Sequence, residues 1–105
     1  SGYIGYVSSS ERYKENISPM ENIGWLYKLK PVNYNYKSDE SKPKQYGLVA
    51  EEVDMINKSF VSYNENGEVE TVSYSSLITP MLKAIQDQKE MIEALQKEIE
   101  ELKKR

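Results

Sequence analysis

The residue types that this chain lacks limit the chemistry it can perform. It contains no histidine and no cysteine, which excludes Ser-His-Asp and Cys-His catalytic sites as well as the usual zinc sites. The remaining options are carboxylates, or serine and threonine hydroxyls activated by a lysine amine. Any nucleophilic catalysis in this chain would therefore use an amine as its base.

Two further groups of residues could bind a metal or a ligand, but we predict that neither group does so. Glu51, Glu52 and Asp54 could offer carboxylates to a metal, yet on a short helix they are expected to face solvent, so we predict no metal and no cofactor. The nine tyrosines could stack on carbohydrate. Alternation such as that of Tyr34 and Tyr36 is more typical of sheet packing or subunit contacts.

The longest regular pattern is a heptad repeat from Ile78 to Arg105, which predicts a coiled-coil helix. Isoleucine fills every a position, and every d position is apolar except for one glutamine. The predicted interface residues are Ile78, Ile85, Ile92 and Ile99 at a, with Met81, Gln88, Leu95 and Leu102 at d. Because such a stripe must be buried against partner helices, we expect the chain to work as an oligomer.

Length, composition and charge agree with an oligomeric subunit. Without the heptad helix, fewer than about 80 residues remain, a size at which a solitary core is marginal. The net charge is −3 and no basic block precedes the heptads, so nucleic acid is not an expected partner. The chain has no apolar run of about 18 residues and no leader-like start, so we predict neither a membrane span nor an export signal.

The rest of the chain carries the signals of a mixed helix and β-hairpin body. Ser18-Pro19 is a typical helix start, and Asn66-Gly67 is a strong hairpin-turn signal. The predicted elements are a helix from Pro19 to about Leu29, a strand over 32–36, a polar loop over 37–44, a strand over 46–49, a short helix over 50–56, and a hairpin joining 60–63 to 69–72.

Three local strings occur in this order: SSERYKENI at 9–17, YGLVAEEV at 46–53 and VSYSSL at 72–77. The first is similar to Ser-Asp-x-Arg-x-Lys-x-Asn-Ile and the second to Gly followed by two hydrophobic residues, Ala, Gln or Glu, Glu or Asp, and Val. The third precedes the heptads. Together they resemble the C-terminal intramolecular chaperone, auto-processing domain of phage tail spikes and fibres, of the endosialidase type. The resemblance covers residues 9–105.

This resemblance implies a homotrimer that helps the fibre ahead of it to fold and then cuts itself off as a serine peptidase of the Ser-Lys kind. Carried over by position, the nucleophile is Ser9, its base is Lys14, and the scissile bond joins Ser8 to Ser9. The family pattern has Asp where this chain has Ser10. That departure leaves Ser10 as a competing nucleophile.

The expected fold class is α+β, with a small helix and β-hairpin part followed by a long C-terminal helix that forms a parallel trimeric coiled coil. We expect a stub of the preceding fibre domain at 1–8, a chaperone and auto-processing core at 9–74, and a trimerisation helix at 75–105. The expected partners are two further copies and the upstream fibre or spike domain of the same chain. The expected location is the host cytoplasm during virion assembly, with retention on the virion tail if the chain is not cut.

Alternatives remain open on two points. Isoleucine at a with leucine at d favours two-stranded coils, whereas the resemblance implies three strands, and we predict the trimer because spike proteins are threefold. Functions without self-cleavage are also compatible with the sequence. A permanent trimerisation domain that never cuts, and an adaptor that docks through the loop at 37–44, are the alternative functions.

Overall fold

In a computed structural model, which describes residues 8–105, the chain consists of a mixed α+β body followed by one long helix. The body contains strands β1 (Val32–Tyr34) and β2 (Gln45–Gly47), helix α1 (Ala50–Ile56), and strands β3 (Val61–Tyr63) and β4 (Val69–Val72). The long helix is α2 (Ile78–Lys103). Single 3-10 turns lie at Glu11–Tyr13, Gly24–Lys28, Lys58–Phe60 and Tyr74–Leu77. The α+β class and the long C-terminal helix are confirmed, and residues 1–7 of the predicted stub lie outside the described residues.

Strands β1 and β2 form an antiparallel hairpin whose connection carries the polar loop. The predicted strand ends earlier than expected, at Tyr34 rather than at residue 36. The loop is held by its own side chains: Asp39 Oδ1 accepts hydrogen bonds from Ser41 N at 3.0 Å and Ser41 Oγ at 2.7 Å. Lys42 Nζ donates to the carbonyls of Tyr36 and Lys37 at 3.2 and 2.8 Å. The loop therefore has a defined internal structure.

The second hairpin, β3–β4, forms where the Asn-Gly signal predicted it. Gly67 has a φ of 79°, a left-handed conformation that glycine adopts without a steric penalty. Asn64 Oδ1 accepts hydrogen bonds from the backbone N–H groups of Asn66 and Glu68 at 2.9 and 3.0 Å. The turn is therefore fixed by a side chain as well as by glycine.

The predicted helix from Pro19 to Leu29 is wrong. Only a 3-10 turn over Gly24–Lys28 forms there. Asn22 has a φ of 56°, a left-handed conformation that interrupts a right-handed helix. Gly24 then weakens the remaining pattern, and Pro31 prevents its continuation.

The core of the body is small, and α2 completes it. Ile23, Val53 and Leu77 are buried, and the first turns of α2 add buried Pro80 and Ala84. The rings of Trp25 and Phe60 stack beside them with centroids 4.9 Å apart. Further along the helix, all residues from 88 to 105 are exposed. Helix α2 therefore contacts the body through its first turns and then extends away from it.

Gly47 and Tyr74 join the first hairpin to the start of α2. Tyr74 Oη accepts a hydrogen bond from Leu48 N at 2.8 Å, and a methyl group on Gly47 would lie 2.6 Å from the same oxygen. We expect Gly47→Ala to destabilise the fold by about 1–3 kcal/mol because the hydroxyl would have to move. We expect Tyr74→Phe to cost about 1 kcal/mol because Leu48 N–H loses its acceptor.

Combining these two changes tests the contact directly. Phenylalanine lacks the oxygen that a Gly47 methyl group would meet, so the double variant should lose less stability than the two single variants summed. We expect the difference to be about 0.5–3 kcal/mol, measured by urea unfolding at one protein concentration. Strict additivity would show that the crowding at Gly47 is unimportant.

Asp54 on α1 is bound from two sides. Tyr63 Oη donates to its carboxylate, and Lys58 Nζ lies 3.3 Å from the same group. The hydrogen bond from Tyr63, followed by the hydrogen bond and charge of Lys58, lowers the pKa of Asp54 below its ordinary value. Since the unfolded carboxyl titrates near pH ~4, its contribution to stability is present above that pH and is lost as the pH falls through the lower folded-state pKa.

Acid should therefore destabilise the wild type more than Asp54→Asn. We expect the thermal midpoint of the wild type to fall more steeply between about pH 5 and pH 3, with Tyr63→Phe intermediate because Lys58 still pairs with the carboxylate. Circular dichroism melts at fixed protein concentration measure this difference. Parallel pH profiles for all three proteins would contradict the assignment.

Candidate functional site

A single helical turn brings Ser9 and Lys14 together. Ser10 is extended, with φ −66° and ψ 144°, and residues Glu11–Tyr13 then form the turn. Backbone hydrogen bonds close it, from Tyr13 N to Ser10 O and from Lys14 N to Glu11 O, both 3.0 Å long. As a result Lys14 Nζ lies 2.7 Å from Ser9 Oγ, within the range for proton transfer between a nucleophile and its base.

The competing nucleophile Ser10 has a different neighbour. Its hydroxyl lies 3.4 Å from Arg12 Nη1, and a guanidinium cannot act as a base at ordinary pH. Arg12 also covers the ring of Tyr13, with its guanidinium carbon 4.5 Å from the ring centroid. Of the two serines, Ser9 is the one in contact with the amine.

The Ser9–Lys14 pair is exposed to solvent. Ser8, Ser9 and Lys14 are all exposed, as is every other residue from 8 to 22. A lysine amine accepts a proton only in its neutral form, and burial favours that form. Among the described residues, the pair thus has the contact geometry of a nucleophile and base but lacks the dry surroundings that would activate it.

The predicted interface residues of α2 form an exposed apolar stripe, which we call the seam. Its seven apolar members are between 50% and 64% exposed, far more than apolar residues in a finished core. They are Ile78, Met81, Ile85, Ile92, Leu95, Ile99 and Leu102. Gln88, the polar member, donates from Nε2 to Tyr27 Oη at 3.2 Å, which ties the seam to the body.

The comparisons with known proteins identify the family. Residues 9–64, just over half of the chain, match the family model described as chaperone of endosialidase. The chain belongs to the chaperone of endosialidase family. No curated protein matches the chain significantly.

Within this family member, the matched region begins at Ser9 and ends at Asn64, in the turn of the second hairpin. It therefore contains the Ser9–Lys14 pair, the first hairpin and α1, while β4 and α2 follow it. The resemblance seen in the sequence strings is thus confirmed at the level of the family.

The three carboxylates that the sequence suggests as possible metal ligands are not brought together in this chaperone domain. Glu51 and Glu52 are exposed on α1, whereas Asp54 is engaged by Tyr63 and Lys58. Over residues 8–105, no group of three acidic residues is arranged to hold a metal ion. In the same part of the chain, no helix has the length and apolar character that crossing a bilayer requires.

Sequence reasoning missed two contacts that position these parts. The Tyr74 hydroxyl holds the backbone of Leu48 against the start of α2, and Tyr27 binds Gln88. Both tyrosines are polar at one end and apolar along the ring, so the pattern of hydrophobic residues does not distinguish them from surface tyrosines. The only available signal for Tyr74 was its position inside the VSYSSL string.

Proposed function

We propose that this domain is an intramolecular chaperone that trimerises, assists the assembly of an upstream phage tail spike or fibre, and then releases itself by cutting the Ser8–Ser9 bond. Its family membership supports the chaperone role. The observation that carries the self-cleavage is the 2.7 Å contact between Lys14 Nζ and Ser9 Oγ.

The chaperone step follows from the seam. Three copies of α2 joined along the seam would hold the three upstream segments close together and in the same register. Tethering raises the effective concentration of those segments, often to the millimolar range, so their association no longer depends on chance encounter.

The cleavage step needs no bound substrate. Neutral Lys14 takes the proton from Ser9 Oγ, and the oxygen attacks the adjacent carbonyl carbon of Ser8 through a five-membered ring. The C–N bond then breaks, the Ser9 nitrogen takes up the proton from the lysine, and an ester links Ser8 to Ser9 Oγ. Water hydrolyses that ester, leaving a carboxylate on Ser8 and restoring the Ser9 hydroxyl.

Activation by assembly explains why the pair is exposed in one subunit. The single chain gives Ser9 and Lys14 their contact but not their burial. Closure of the trimer would remove water around the amine, so that cutting waits until the upstream fibre has assembled. On this proposal the domain acts in the host cytoplasm during virion assembly, and an uncut domain remains on the tail.

Mass spectrometry of freshly expressed protein tests the proposal. The chain is produced with an N-terminal tag ahead of Ser1, and the expected product is a fragment that begins at Ser9. An intact mass after prolonged incubation of the assembled protein would contradict self-cleavage. That result would favour the second candidate function, a permanent trimerisation domain, for which the solvent exposure of the pair is the specific observation.

A further inference from the structure

The segment that carries the Ser9–Lys14 pair contains apolar residues that residues 8–105 of its own chain leave uncovered. We call residues 8–22 the arm. Tyr13 and Ile17 are 64% and 69% exposed, whereas Ile23, immediately after the arm, is only 6% exposed. The arm is thus anchored to the body at Ile23, and its apolar side chains face solvent in a single subunit.

Ile17 is the arm residue with the most to gain from a partner. Tyr13 is already covered on one face by Arg12, and Met20 is only 39% exposed. Ile17 follows Asn16, whose φ of 55° turns the backbone immediately after the Ser9–Lys14 turn. Ile17 lies three residues after Lys14, so a contact at Ile17 would be close along the chain to the Ser9–Lys14 pair.

The body has an open apolar pocket of matching character beside the seam. It has a volume of about 390 Å³, and its walls are almost entirely apolar. The residues that matter here are Leu26, Leu29, Leu48, Leu77 and Met81. Met81 is also a d residue of the seam, so the pocket is continuous with the surface that we propose to bind the other copies. We call it the seam-edge pocket.

We propose that Ile17 of one copy binds in the seam-edge pocket of a second copy. This inference rests on the proposed trimer and adds to it the contact that activates the site. An isoleucine side chain fits easily into the volume, and within residues 8–105 of one subunit both surfaces are apolar and uncovered. Docking would press the Ser9–Lys14 turn against the neighbouring body, excluding water from the amine and linking cleavage to assembly.

Disulfide trapping tests the contact because the chain has no cysteine of its own. Chains carrying Ile17→Cys and Leu29→Cys, each with a different tag after Arg105, are co-expressed and oxidised, and we expect a covalent pair bearing both tags. Leu48→Cys provides a second pocket probe if Leu29→Cys does not fold. Ile17→Cys paired with Ser62→Cys, on strand β3 outside the pocket, measures chance cross-linking.

Cross-linking no stronger than in the Ser62 control would overturn the proposal. A disulfide formed within one chain by the Ile17→Cys, Leu29→Cys double variant, without covalent pairs, would also overturn it by showing that the arm folds onto its own body. Because Ile17 lies after the scissile bond, the trap works whether or not the chain is cut. Failure of self-cleavage is therefore distinguishable from failure of the arm contact.

A cleavage assay supplies the functional readout. Ile17→Asp should reduce the cleavage rate at least tenfold while sedimentation still shows the trimer, and Ile17→Val should restore most of the rate because valine keeps an apolar branched side chain. Ile17→Asp with wild-type cleavage would refute the positioning role of Ile17, even if the trimer and the Ser9–Lys14 chemistry are both established.

Discussion

Replacing Ser9 with alanine is expected to leave the Ser8–Ser9 bond intact and the chain at its full mass. Without the hydroxyl, no ester can form with the Ser8 carbonyl. Lys14→Met should leave the nucleophile in place but remove its base, slowing the cut by about 10²–10⁴-fold. The amine is the group that lies 2.7 Å from Ser9 Oγ. Both variants are followed by mass spectrometry of the tagged chain over time.

Ser10→Ala is the matched control for this experiment. It removes a hydroxyl of the same kind one residue away, and that hydroxyl lies beside Arg12 rather than beside Lys14. We expect Ser10→Ala to be cut at nearly the wild-type rate, between the same two residues. If Ser10→Ala stops the reaction while Ser9→Ala does not, the nucleophile has been assigned to the wrong serine.

Loss of cleavage is informative only if the variants still assemble. Ser9 and Lys14 are exposed and lie outside the core, so neither change should alter the oligomeric state or the thermal midpoint by more than a small amount. Sedimentation and circular dichroism verify this. Lys14→Arg adds a stricter comparison, since it keeps the positive charge but replaces the amine with a group that does not deprotonate.

The parts of the structure that the sequence predicted well are those set by local or periodic signals. Seven regularly spaced apolar residues were enough to predict the long helix, since apolar residues that recur every three or four positions share one face in a helix but not in a strand. Asn66-Gly67 fixed the second hairpin because few residues other than glycine adopt the conformation seen at Gly67. The position of Lys14 relative to Ser9 was carried by the family resemblance, and the turn at Glu11–Tyr13 shows how that spacing produces a contact.

The features that the sequence predicted wrongly, or did not predict, depend on contacts between distant residues. Ser18-Pro19 and the apolar spacing after it indicated a helix, but burial of Ile23 and the left-handed turn at Asn22 give an irregular segment instead. The Tyr74–Leu48 hydrogen bond joins residues 26 positions apart, and no local rule predicts it. The environment of the Ser9–Lys14 pair belongs to the same class, since on our proposal it is completed by another copy.

Placing aspartate at both Ile85 and Ile92 is expected to convert the proposed trimer to monomers at micromolar concentration. In an assembled seam each isoleucine would contribute about 1.5–3 kcal/mol through burial. The substitution would remove this contribution from each of the three helices. The new carboxylates would also have to leave water or repel one another across the seam. Analytical ultracentrifugation measures the change in mass.

The body should survive this change. Ile85 and Ile92 are 62% and 56% exposed in one subunit, and α2 packs on the body through Pro80 and Ala84 instead. The matched control is Gln86→Asp with Lys97→Asp, which places two aspartates on the outer b and f positions of the same helix. We expect this control to remain trimeric and to be cut at close to the wild-type rate.

The same seam variant decides whether cleavage depends on assembly. The Ser9–Lys14 contact forms within one chain, so a monomer retains both groups at 2.7 Å. If that contact were sufficient, the monomer would cut itself as fast as the trimer does. If burial by neighbouring copies is required, as we propose, the monomer should remain uncut although its Ser9–Lys14 pair is intact. A folded monomer that cuts at the wild-type rate would leave self-cleavage standing but would refute its coupling to assembly.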